Sequence, residues 1–183
     1  WGDSGPVEQL VENPNGIAIA PNGGVFVADS APAKIRHYDS GGTFIRQWGT
    51  EGTGNGQMDS PLGILVDSNG YVVVADFGNH QIQRFTQRGV FVDSWGEQGS
   101  GEGEFDGPVD IAMDSAGNLF VVEMYNARLQ KFDAAGNYLG QFGSYGTGPG
   151  EFYMPQKIAI DSEDRIFVLD NTIDRIPIQI LAP

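Results

Sequence analysis

The chain has 183 residues, with 24 Asp and Glu against 10 Lys and Arg and a formal net charge of −14. That balance excludes a nucleic-acid backbone or an anionic membrane as the main partner, because both require a basic face. With 27 Gly, 10 Pro and no Cys the composition suits a turn-rich all-β protein without disulfides, and no apolar run approaches the ~20 residues needed to span a bilayer.

Trp1-Gly2 at the start matches Trp48-Gly49, Trp95-Gly96 and Phe142-Gly143. Pro14, Pro61, Pro108 and Pro155 repeat at the same interval (61 − 14, 108 − 61 and 155 − 108 are each 47), as do Asp29, Asp76, Glu123 and Asp170. A fixed period of this length marks an array of stacked units. The units run approximately over 3–49, 50–96, 97–143 and 144–183, the last incomplete, within a single domain. Trp1, with no signal-peptide pattern around it, sets two expectations: a leader removed from an extracytoplasmic or secreted protein, or a piece of a longer chain.

Each unit reads as four strands. Strand a is a short continuous apolar run (Gly16–Ala20, Ile64-Leu65-Val66, Ile111-Ala112-Met113, Ile158-Ala159-Ile160), expected to be buried on both faces. A tight turn follows, such as Asp67-Ser68-Asn69-Gly70, and then strand b (Val25–Ala28, Val72–Ala75, Leu119–Val122, Ile166–Leu169). A polar loop leads to strand c (Lys34–Tyr38, Gln81–Phe85, Arg128–Phe132), and a second turn leads to strand d, which ends in the aromatic-Gly pair. About a dozen residues connect to the next unit, which is the pattern of a β-propeller blade. In the fourth unit Pro177 falls inside strand c if the register is kept, where it would remove a ladder donor; a slip of two residues, matching Ile178-Gln179 to Ile82-Gln83, is the alternative.

The segment from Val74 to Phe85 (VADFGNHQIQRF), the Pro-x-Gly-Ile start at Pro61–Ile64 and the close at Trp95-Gly96 resemble the signature of NHL repeats. The resemblance covers nearly the whole chain and is weakest at Leu169–Thr172. It implies a propeller of four-stranded antiparallel blades, usually six, so that about four NHL-type blades here form an arc. Two bare blade faces of roughly 300 Å² each would then be left open, on the order of 15 kcal/mol of apolar surface. The expected cover is further blades of a longer parent chain, then a partner subunit in an oligomer or larger complex, then closure into a four-blade ring.

In this layout the b–c loops and d–a linkers share one face, here called the top. It gathers Asp3, Glu8, Glu12, Glu51, Asp59, Glu97, Glu102, Glu104, Asp106 and Glu151 from linkers and Asp29, Asp76, Glu123, Asp170 and Asp174 from loops. Acids that recur at one step, paired as Asp29/Lys34, Glu123/Arg128 and Asp170/Arg175, read as loop clamps, and Asp67, Asp114 and Asp161 as turn formers. Breaks in the repeat are the better site candidates. Asp110 and Lys157 replace Gly16 and Gly63 at the channel mouth, with Asn15 and Gln156 beside them, and Tyr125, Tyr153 and His80 (with Phe77) add a recognition surface. The alternative to an inter-blade salt bridge at Asp110 and Lys157 is a charged pair lining a pocket. His37 and His80 occupy different repeat positions and have no partner at zinc spacing, while the amidating-lyase relatives of NHL proteins use several His. No Gly-x-Ser-x-Gly elbow, Cys nucleophile or phosphate loop is present. The expectation is therefore a non-catalytic protein-binding or assembly module working through an acidic top, without cofactor or bound metal. The alternative is a metal-dependent lyase or hydrolase with its site at the channel mouth.

Overall fold

The computed structural model describes residues 11–171 and 178–181. It is a β-propeller built of antiparallel blades. Blade 1 comprises β1 (Pro14–Ile19), β2 (Val25–Asp29), β3 (Lys34–Tyr38) and β4 (Phe44–Trp48); blade 2 comprises β5 (Pro61–Val66), β6 (Val72–Asp76), β7 (Gln81–Phe85) and β8 (Phe91–Trp95). Blade 3 comprises β9 (Pro108–Met113), β10 (Leu119–Glu123), β11 (Arg128–Phe132) and β12 (Tyr138–Phe142), and blade 4 β13 (Pro155–Ile160), β14 (Ile166–Asp170) and β15 (Ile178–Leu181). Strands pair strictly in sequence order within each sheet.

The turns form because one Asp carboxylate can satisfy two amides that the hairpin leaves free. Asp67 Oδ1 accepts from the Asn69 and Tyr71 amides, Asp114 Oδ1 from Ala116 and Asn118, and Asp161 Oδ1 from Glu163 and Arg165. Asp39 and Asp133 repeat the device at the second turn, a role the sequence reading did not single out.

Alternation along strand b decides which neighbour each side chain meets. Phe26 and Ala28 of blade 1 pack with Val72 and Val74 of blade 2. Val73 and Ala75 on the other face of blade 2 pack with Leu119 and Val121 of blade 3, and Val122 packs with Ile166 and Val168 of blade 4. The core is thus three sandwiches between four blades plus a smaller cluster on the outer face of blade 1, where Val25, Val27 and Tyr38 are buried with Val11 and Phe44 against them, and β2 and β6 are buried along their whole length. Strand a departs from the expectation of burial on both faces: Ile17 and Ile19 of β1 are 66% and 70% exposed. Their face of blade 1 has no blade against it among the described residues. Ile178 and Ile180 of β15, 64% and 62% exposed, mark the corresponding open face of blade 4.

Contacts between inner strands run β1 to β5, β5 to β9 and β9 to β13, so the blades form an arc in chain order. Close approach there requires glycine: a Cβ on Gly16 would lie 2.2 Å from the Leu62 carbonyl oxygen, and one on Gly63 would lie 2.6 Å from Asp110 Cα. In blade 4 the two-residue slip is what occurs. Ile178 pairs with Leu169 as Ile82 pairs with Ala75, and Pro177 lies outside the described residues.

Candidate functional site at the top of the blades

The side that joins b–c loops to d–a linkers is held by a repeated polar clamp. The carboxylate ending strand b accepts amides from the linker that precedes its own blade: Asp29 from Glu12 and Asn13, Asp76 from Asp59, Glu123 from Asp106, and Asp170 from Tyr153 and Met154. From strand c, Gln83, Gln130 and Gln179 each accept a linker glycine amide (Gly56, Gly103, Gly150) and donate to a linker carbonyl. Burial raises the pKa of Asp76 against hydrogen bonds from Asn79, the Asp59 amide, Gln83 and Gln81.

Of the expected clamp pairs, Glu123 and Arg128 meet at 2.6 Å. The pair Asp29/Lys34 is corrected: Arg36, two residues further along the same face of β3, takes Asp29 with its Nε at 2.7 Å. Arg175 and Asp174 lie outside the described residues. Glu104 and Glu151 also turn inward, folding over the amides of Gly101 and Gly148. The top is therefore less openly acidic than its sequence suggests. Glu12, Glu51, Asp59, Glu97 and Glu102 stay exposed, with no cation at ion-pair distance among the described residues. Gly96, Glu97, Glu102, Gly103 and Glu104 line a shallow depression of about 310 Å³ there.

Asp110 and Lys157 are brought together. Asp110 Oδ2 accepts from the Ile158 amide at 3.1 Å, and Lys157 Nζ stands 3.8 Å from Oδ1. Asp110 thus bridges the inner strands of blades 3 and 4 at the position where Gly63 leaves backbone against backbone. Burial raises its pKa, opposed by Lys157 and by the Ile158 and Ile111 amides. Gln156 lies half-buried beside Lys157. Asn15 belongs to the other end of the arc, where it donates to Ser30 Oγ and to the Asn13 carbonyl of its own blade.

A second group lies between blades 2 and 3. His80 has φ +53, as Ala33 and Ala127 have +58 and +50 at the same repeat position, so only its side chain is new. Its Nδ1 accepts the Gly107 amide at 3.2 Å and lies 3.5 Å from Asp106 Oδ1. Gly107 also underlies two rings, since a Cβ there would meet Tyr125 at 2.8 Å and Phe77 at 3.0 Å. Those rings are 5.9 Å apart and tilted by 54°, with Tyr125 59% exposed. Tyr153 pairs separately with Tyr145, with ring centroids 5.6 Å apart.

The sequence reading had Phe77, His80 and Tyr125 but not the role of Asp106 and Gly107. Asp59, the counterpart of Asp106, lies over Gly78, where a Cβ would be 2.4 Å from its Cγ. Tyr125 stands at the Gly78 position in blade 3, and Asp106 faces His80 instead. The signal was in the repeat, but only as four separate substitutions whose meeting needs the fold.

A metal fits poorly among these residues: no three His, Asp or Glu side chains are placed to hold one among those described. Most of the buried carboxylates already take up the amides and cations given above.

Residues 5–97, half of the chain, match the family described as SMP-30/gluconolactonase/LRE-like region, and residues 114–176 match one described as a 6-bladed β-propeller. No curated protein matches the chain. Among solved structures, virginiamycin B lyase of Staphylococcus aureus superposes with a TM-score of 0.64 at 15% identity, over 92% of this chain and 55% of its own. Hydrazine synthase of Kuenenia stuttgartiensis gives 0.70 at 11%, over 99% and 53%, and a gluconolactonase of Xanthomonas campestris gives 0.63 at 19%, over 86% and 54%. At such identities the likeness is one of fold. The chain spans about half the length of these proteins.

Proposed function

The chain belongs to the SMP-30/gluconolactonase/LRE-like family, and on that premise we propose that it is a non-catalytic recognition module, built of NHL-type blades, that binds a basic protein partner on its top face. The observation that carries this reading is the division of labour among the acids. The carboxylates that end strand b are consumed in clamps, while the linker acids Glu12, Glu51, Asp59, Glu97 and Glu102 remain exposed. A concentration of one charge sign steers an oppositely charged partner and adds little to the fold itself. The open faces of blades 1 and 4 are, on this reading, covered by further blades or a partner subunit, as the arc of a larger propeller. An extracytoplasmic location accords with it.

The test is fluorescence anisotropy of a labelled lysine- and arginine-rich peptide at increasing salt. The expected result is binding at low salt that weakens steeply as salt is added; no binding at low salt overturns the reading.

A second reading, a metal-dependent lyase or hydrolase at the channel mouth, is favoured by the family and by the names of the gluconolactonase and the lyase. It requires metal ligands beyond the side chains described above. Lactone hydrolysis with and without added divalent cation separates the two: a metal-dependent rate above buffer would move the conclusion to the enzyme.

A further inference from the structure

We propose that Phe77, Tyr125 and Asp106 form the seat of an arginine side chain presented by the partner, an inference that rests on the recognition reading above and gives that surface a specific centre. The floor is the Asp106–Gly107 backbone, fixed at three points: the Gly107 amide donates to His80 Nδ1, the Gly107 carbonyl accepts from the Met124 amide, and the Asp106 carbonyl accepts from the Tyr125 amide. The two rings lean over that floor at 54° to one another, and Tyr125 is largely open to solvent. An aromatic corner of this kind offers π faces to a planar cation.

The third component is an uncompensated carboxylate. Asp106 has 36% of its side chain exposed, and its nearest partner is His80 at 3.5 Å. His80 Nδ1 accepts the Gly107 amide rather than donating to Asp106, so no hydrogen bond among the described residues takes up the Asp106 carboxylate oxygens. A guanidinium stacks on a ring and bonds a carboxylate through two parallel donors, whereas an ammonium can only offer a point charge. The equivalent places in the neighbouring blade interfaces lack one or more components: blade 2 has Asp59 beside Gly78, and blade 4 has Tyr153 where Asp106 would be. One interface out of three therefore carries the complete set.

The test is calorimetric titration with a short Gly/Ser peptide containing a single central arginine, alongside twins carrying lysine or the neutral isostere citrulline. The arginine peptide is expected to bind about tenfold more tightly than the citrulline twin and more tightly than the lysine twin. Asp106→Asn and Tyr125→Ala are each expected to remove about tenfold while leaving the melting temperature unchanged, since both side chains are surface groups. Equal binding of arginine and citrulline peptides, or binding indifferent to both substitutions, overturns the seat. If arginine and lysine peptides bind alike and only Glu97→Gln with Glu102→Gln weakens them, the acidic face stands and the seat falls. If no basic peptide binds, both fall.

Discussion

At the residue scale, Asp110 shows how one departure from a repeat changes the physics of a position. Gly16 and Gly63 let inner strands touch, while Asp110 reaches across to the Ile158 amide and to Lys157. Its pKa is raised, chiefly by burial. An acid whose folded pKa lies above its unfolded value costs stability as pH rises from the unfolded to the folded value, and the cost is constant above that. Asp110→Asn should therefore gain stability relative to the wild type as pH climbs through that window and hold the gain to neutrality, as read by chemical denaturation at a series of pH values; a difference independent of pH would deny the burial effect. Gly63→Ala is expected to cost about 1–3 kcal/mol, because its Cβ would meet Asp110 Cα, a backbone atom that cannot swing aside. The miss at Asp29 also belongs to this scale. Lys34 lies directly opposite Asp29, but Arg36 shares its face and carries a planar donor that reaches it, and linear spacing does not separate the two.

At the scale of the element, the d–a linkers before blades 2, 3 and 4 are each pinned by a glutamine of strand c and the acid of strand b. Gln130 accepts from Gly103 and donates to the Glu104 carbonyl and to Glu123. Gln130→Ala strips partners from a buried carboxylate and two linker groups, so a loss of about 1–3 kcal/mol is expected. Hydrogen exchange should quicken first at residues 97–106; uniform quickening over blade 3 would contradict a local clamp. The strands and turns were legible in the sequence because a 47-residue step fixes three or four copies of each, and a feature that recurs that often outweighs a local anomaly. The start of β15 was not, because Pro177 left two registers open and only pairing with Leu169 and Val168 decides between them. The seat around Gly107 was legible only in part: its side chains come from two blades and a linker, and no spacing along the chain announces that they meet.

For the whole molecule, the described residues of the blades bury three interfaces and leave two partly open apolar ends, marked by Ile17 and Ile19 on one side and Ile178 and Ile180 on the other. Exposed surface of that kind binds apolar dyes and partners. The chain should bind such a dye, and Ile17→Ser with Ile19→Ser should reduce the signal without unfolding the arc; absence of dye binding would show the faces to be covered already. The ends concern assembly, whereas the proposed recognition belongs to the top, and the two surfaces lie on different sides of each blade. The most direct measurement is amide hydrogen exchange with and without a saturating arginine-rich peptide. The account predicts protection confined to the linkers and loops at residues 51–59, 76–80, 97–107 and 124–127. Protection of the opposite turns around Asp39, Asp67, Asp114 and Asp133, or of β1 and β15 at the open ends, would contradict it.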